Sequence, residues 1–198
     1  MPATQTAILL LCSERDDLIA NLRFGLSQAG YVCEIQRQQQ FDVKDVMGSA
    51  SPALLVVILQ ALTLDAVQQL QALDEHSPCP VVLCVREHNA GLLARAVEAG
   101  VSTYIAGACS GQRAVLLAEL ATLRFQARQK LRRHAEDAAN KLSERKLIER
   151  AKGILMETRQ LSEQEAYRVM RKTAMNRAQP LVQVATSLIQ ASELLSAS

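Results

Sequence analysis

The sequence has no tryptophan, and aromatic residues make up only 3% of its 198 positions. Sheet platforms that stack single-stranded bases need exposed aromatic side chains, so readers of that kind are excluded. The five cysteines, Cys12, Cys33, Cys79, Cys84 and Cys109, form no C-x-x-C pair and stand at no metal-binding spacing to a histidine. Their odd number does not suit a disulfide framework. Cys12 and Cys84 lie in apolar runs and read as small buried hydrophobes. The set implies a reducing compartment. No apolar run approaches about 18 residues, and no basic segment precedes the short apolar run near the N-terminus, so the expected location is the cytoplasm. The three histidines, His76, His88 and His134, are scattered. No nucleophile–base pair and no phosphate-binding loop stands in the chain, so no enzyme, no cofactor and no metal site is expected.

What is present is 49% apolar residues, a globular composition. The formal charge of +2 hides an asymmetry. Residues 1–112 carry six Lys/Arg against eleven Asp/Glu, and residues 113–198 carry sixteen against nine. An acidic half joined to a basic half predicts two domains, the second with a polyanionic partner.

The acidic half alternates strand and helix patterns. Residues 7–12 are a short branched apolar run, followed at 16–29 by helical spacing (Leu18, Ile19, Leu22, Leu26, Ala29) that Gly30 ends. Further strands are predicted at 31–35, 54–59, 81–85 and 102–106, and helices at 67–73 and 92–99. Residues 54–59 are continuously apolar, as a central parallel strand requires. The fold class is therefore α/β, a doubly wound parallel sheet over 1–112.

Residues 113–150 hold no Pro or Gly and are rich in helix formers. Leu131, Ala135, Ala138 and Leu142 step by 4, 3 and 4, as in a coiled-coil seam, but extending it upstream meets Arg128 and Arg124. The connector is placed at 113–136. Beyond it, Leu147, Ile148, Ala151, Leu155 and Met156 mark the core face of a continuing helix. Gly153 inside that helix costs about 1 kcal/mol and needs a reason, either close packing or backbone approach by a ligand. The packing reading is preferred for Gly153 and Ala174, and Met156 and Met175 are assigned to the core. Ser162 with Glu165 forms a capping box for a second helix, with a stripe of Ala166, Val169, Met170, Thr173 and Ala174. Gln179-Pro180 opens a third. Three such helices close into a small bundle over 137–198.

The run Ala151-Lys152-Gly153-Ile154-Leu155-Met156, with Ala166-Tyr167, Arg171, Ala174-Met175, Arg177 and Ala185 behind it, resembles the ANTAR domain, an RNA-binding module of antitermination regulators. The order of elements in the acidic half resembles the CheY-like receiver domain. Its phosphorylation chemistry is missing: Ile58 stands where the acceptor aspartate belongs, and an aliphatic side chain cannot attack phosphorus. The family's hydroxyl falls on Val85 and its lysine on Gly107, and Asp16 and Asp17 read as charges at a helix start. Receiver, coiled coil and ANTAR in this order resemble the AmiR/NasT group, closer to the NasT-like side. That resemblance implies a dimer, joined through the connector and the pseudo-receiver, that captures two hairpins of a leader mRNA and prevents terminator formation. It further implies control by a cytosolic ligand-sensing repressor protein, in nitrate or nitrite assimilation. Lys152, Arg171 and Arg177 are the candidate phosphate or base contacts, Tyr167 a candidate stacking platform or core residue, and Lys146, Arg150 and Lys172 supporting phosphate contacts. Two other readings remain: a DNA-binding response regulator, or a dimeric scaffold that binds no nucleic acid.

Overall fold

The computed structural model describes residues 5–12, 16–38, 41–42, 52–107 and 111–196. They divide into two compact units, 1–129 and 130–198. The first unit holds β1 (Gln5–Cys12), α1 (Asp16–Gln28), β2 (Tyr31–Arg37), β3 (Leu54–Ala61), α2 (Leu64–His76), β4 (Val81–Glu87), α3 (Ala90–Glu98) and β5 (Thr103–Ala106). The strands are all parallel, in the order β2-β1-β3-β4-β5. Strand β3 is central and covered on both faces, which explains its unbroken apolar run. Its residues alternate between two cores. Leu55, Val57 and Leu59 pack with Leu83, Val85 and the α2 residues Val67, Leu70 and Leu73. Leu54, Val56 and Ile58 pack with Cys84, Ile105 and the α1 residues Ile19, Leu22 and Leu26.

Ile58, expected from the sequence at the acceptor position, is fully buried at 0% exposure. Gln60 beyond it is exposed and donates to Glu87 at 3.0 Å. Val85 is buried as well. The side chains of Asp16 and Asp17, read as charges at a helix start, lie outside the described residues. Helix α2 is capped by Thr63, whose hydroxyl accepts from the Ala66 N–H, and α3 by Asn89, whose side chain accepts from the Gly91 N–H. Gly100 ends the turn after α3 with φ of +102°, and a Cβ there would meet Asp74 Oδ1 at 2.8 Å. Glycine is required on both counts. The Asp74 carboxylate it admits accepts from Arg128 at 2.6 Å.

Arg128 belongs to α4, a single helix from Gly111 to Arg159. Its first turns are part of the receiver-like unit: Ala114, Ala118 and Ala121 are buried against the sheet. The expected domain edge at 112 therefore falls where a packing helix begins, while the compact unit reaches 129. Arg124 and Arg128, the residues met on extending the predicted seam upstream, bond within the first unit, Arg124 donating to the Ser102 carbonyl at 3.2 Å and Arg128 to Asp74. The outward residues upstream are Leu116, Leu120 and Leu123, all exposed. In the second unit, the predicted seam residues Leu131, Ala135, Ala138 and Leu142 are likewise exposed in the single chain.

Candidate nucleic-acid interface

The second unit consists of the rest of α4, α5 (Glu163–Asn176) and α6 (Leu181–Ser196). Its core is small: Ala151, Leu155, Ala166, Met170, Ala185 and Ile189. Three of the six are alanine, and small side chains let helices approach closely. The capping box is present: the Ser162 hydroxyl accepts from the Glu165 N–H, and the Glu165 carboxylate accepts from the Ser162 N–H at 2.9 Å. This fixes where α5 starts and hence which of its faces is free.

The buried stripe of α5 is Ala166, Met170 and Ala174. Val169, expected in that stripe, is exposed, because Met170 and Ala166 fill the contact by themselves. The opposite face carries Gln164, Tyr167, Arg168, Arg171, Lys172 and Met175, spaced i, i+3, i+4, i+7, i+8 and i+11, all exposed. Three of these are cations, and the acid beside them, Glu165 at i−3 from Arg168, is engaged by the capping box. Arg171 and Lys172 enter no ion pair among the described residues. Tyr167 is 43% exposed, so it is available for stacking and does not fill the core. Met175, assigned to the core from the sequence, is 73% exposed. Met156 on α4 is 38% exposed, also against expectation. Arg177 is the exposed C-cap of α5, its N–H bonded to the Thr173 and Met175 carbonyls. Arg168 and Gln164 were missed in the sequence. The helical spacing from Tyr167 and Arg171 reaches both.

The candidates on α4 do not join this face. Lys152 is buried, its ammonium 2.7 Å from Glu149 and 2.7 Å from Glu163 at the start of α5. It is a strut between two helices, with its charge already neutralised. Arg150 pairs with Glu193 of α6 at 2.8 Å, an exposed contact that a phosphate can displace. Lys146 is exposed one turn earlier. At Gly153 a Cβ would meet nothing within 4 Å, so the close packing expected there is absent within the chain.

The Lys152 strut makes stability depend on pH. The hydrogen bonds it donates to Glu149 and then Glu163 hold the ammonium above its ordinary 10.5. The bond to Lys152 draws Glu163 below its ordinary 4.5, and the Ser162 hydroxyl and N–H do the same for Glu165. A depressed carboxylate contributes stability that is complete above the unfolded value and is lost as pH falls through the folded one. A raised ammonium contributes stability that is complete below the unfolded value and is lost as pH rises through the folded one. The melting temperature of this unit is therefore expected to be level between the two ordinary values and to fall on either side. Lys152→Met is expected to lower the plateau by a few degrees, remove the alkaline fall and keep the Glu165 share of the acid fall. Circular-dichroism melts across pH test this, and an unchanged alkaline limb in Lys152→Met would sink it.

Among the described residues, no group of three or more His, Cys, Asp or Glu could hold a metal ion. No described helix is long and apolar enough to cross a membrane. Cys79 is buried, which pushes its thiol up to about 12, with Asp74 adding to the effect. Such a thiol is unreactive.

Comparison with known proteins finds likenesses to each unit. The ANTAR domain family model matches residues 136–189. The Transcriptional regulatory protein PdtaR of Mycobacterium tuberculosis is 25% identical over 139 residues, 70% of this chain and 68% of its own. The signal receiver domain of a modulated diguanylate cyclase from Desulfovibrio desulfuricans G20 superposes with a TM-score of 0.50 at 15% identity, covering 64% of this chain and 99% of that one. A response regulator from Thermotoga maritima gives 0.51 at 14% identity, covering 61% and 98%. At these identities the likeness is one of fold, and that fold is the receiver's.

Proposed function

Because residues 136–189 are an ANTAR domain behind a receiver-like domain, we propose that the chain is a transcription antitermination regulator that binds paired hairpins in a leader mRNA as a dimer and keeps an overlapping terminator from forming. The observation that carries this reading is the exposed face of α5 on which three cations gather beside Tyr167, with Glu165 held in the capping box at its edge. Arg168, Arg171 and Lys172 supply phosphate or base-edge contacts, and Tyr167 supplies a stacking surface for an unpaired loop base. Arg177 at the end of α5 adds a further cation, and Lys146 and Arg150 on α4 offer separate supporting phosphate contacts. Lys152 acts through the packing of α4 on α5. RNA is favoured over duplex DNA because the helix offers a stacking aromatic among its cations, which an open loop base can use and a stacked base pair cannot.

The dimer joins through the connector, where Leu131 and Leu142 are exposed, and through the receiver-like unit, which exposes Leu116, Leu120 and Leu123. Control rests with a cytosolic ligand-sensing repressor protein and not with phosphorylation, since the acceptor position is the buried aliphatic Ile58. The NasT-like resemblance supports nitrate or nitrite assimilation as the setting.

The test is a titration of the purified chain against a two-hairpin leader RNA, each hairpin alone and a DNA duplex, at two salt concentrations. Preference for the two-hairpin RNA with a steep salt dependence is expected. Equal or tighter binding to duplex DNA would overturn the reading. So would no salt-dependent binding to any of the RNAs.

A further inference from the structure

The first unit carries a groove that neither its fold nor the proposed RNA contact uses. It lies between α3 and α4 beside β5, the strand at the edge of the sheet, and holds about 520 Å³. That volume is in the range of small-molecule sites. Its lining is mostly apolar, as such sites require. Leu93 and Val97, one turn apart on α3, line it together with Phe125 of α4 and with Val101 at the approach to β5.

The charged groups in the lining are all of one sign. Arg124 and Arg128, one turn apart on α4, line the groove, and no carboxylate does. Arg124 spends Nη1 on the Ser102 carbonyl, and Arg128 spends Nη2 on Asp74. A guanidinium presents five donors in a fixed fork, so both keep N–H groups for a ligand. Asp74 cancels one of the two charges, which leaves the groove with a net of one positive charge. Arg124 has no carboxylate partner among the described residues. Thr103 is the second sign of an unmet need. It lines the groove at 4% exposure, and its hydroxyl is the one buried side-chain polar atom among the described residues without a hydrogen-bond partner. An unpaired buried hydroxyl costs stability and is rare in native folds.

We propose that this groove binds a small organic monoanion, a carboxylate on an apolar body. The carboxylate sits on Arg124 and Arg128, the body lies against Leu93, Val97 and Phe125, and a ligand oxygen supplies the partner that the Thr103 hydroxyl lacks. The single net charge favours a monoanion over a phosphate or a dicarboxylate. Both arginines stand on the helix that runs on to Arg159, so the anion is held by the helix that leaves this unit. The site gives the unit a chemical input that needs no phosphoacceptor. It stands on the geometry of the first unit and does not depend on the RNA reading.

The experiment titrates the full chain with benzoate and hexanoate, with benzyl alcohol and hexanol as neutral matches and phthalate as a dianion. Titration calorimetry reads affinity, and scanning calorimetry reads the sheet transition. At least one of the two carboxylates is expected to bind with a dissociation constant of about 1 mM or below, as a well-placed ligand of about ten atoms does, and to raise the sheet transition. Its alcohol should bind at least tenfold more weakly, and phthalate no more tightly than benzoate. Arg124→Gln and Val97→Glu change exposed side chains, so each should keep the ligand-free sheet transition while weakening carboxylate binding about tenfold. No binding of either carboxylate would overturn the proposal. So would an alcohol that binds as tightly, or carboxylate affinity unchanged in both variants. Self-association lost in Val97→Glu, with no carboxylate bound by the wild type, would overturn it in favour of a groove filled by a second copy of the chain.

Discussion

Replacing Arg171 and Lys172 together by alanine is expected to weaken binding to a two-hairpin RNA by about a hundredfold at moderate salt, without lowering the melting temperature. Both side chains are exposed on the face of α5 opposite the core. Neither holds an ion pair among the described residues, so their loss unpairs nothing inside the protein. A charge-assisted contact to phosphate contributes about 1.5–3 kcal/mol, and each 1.4 kcal/mol is a factor of ten. The expected signature is a shallower salt dependence. Two phosphate contacts fewer reduce the slope of log affinity against log salt by about 1.4 to 1.8 per protomer. Tyr167→Ala should lower affinity by a similar factor with the slope unchanged, because stacking releases no counterion. Lys152→Ala gives the contrast. Its ammonium is already bound by Glu149 and Glu163, so any loss of RNA affinity should track loss of folded protein. Full RNA affinity in Arg171→Ala/Lys172→Ala would remove the α5 face from the site.

The pattern of success and failure in reading this site has a physical cause. Periodicity located every described strand and helix within a few residues, because burial on two sheet faces or one helix face leaves a repeat in the sequence. The capping box at Ser162 and Glu165 was legible for the same local reason. Met175 was not. Hydrophobicity suggests the core, but only the packing of Met170 and Ala174 shows that the buried stripe is already full. The exposed leucines of the first unit were hidden by phase: Leu116, Leu120 and Leu123 fall out of step with the 131–142 pattern, while the in-step Arg124 and Arg128 bind Ser102 and Asp74. The turns beside the site also use left-handed residues that are not glycine, Gln160 at φ of +53° and Ala178 at +49°. No local signal announces them. They are held by the helices on either side.

Two methionines five residues apart on α5 should answer truncation in opposite ways. Met170 is fully buried among Ala151, Ala166 and Ala185. Those neighbours are already small and cannot close around a void, so Met170→Ala should cost about 2–5 kcal/mol. A single core in a domain below about 80 residues rarely supplies more than about 3–5 kcal/mol, so the substitution should remove most of what holds the ANTAR unit together. The receiver-like sheet has its own two cores and should melt unchanged. Calorimetry of the variant is expected to show the sheet transition alone, with RNA binding abolished. Met175→Ala, at a site with little to lose, should leave both transitions in place and alter affinity only for RNAs whose loop base packs on that side chain. A Met170→Ala chain that keeps the ANTAR transition would mean that the bundle draws its stability from contacts outside Met170's core. A Met175→Ala chain that loses the transition would place that side chain in the core after all.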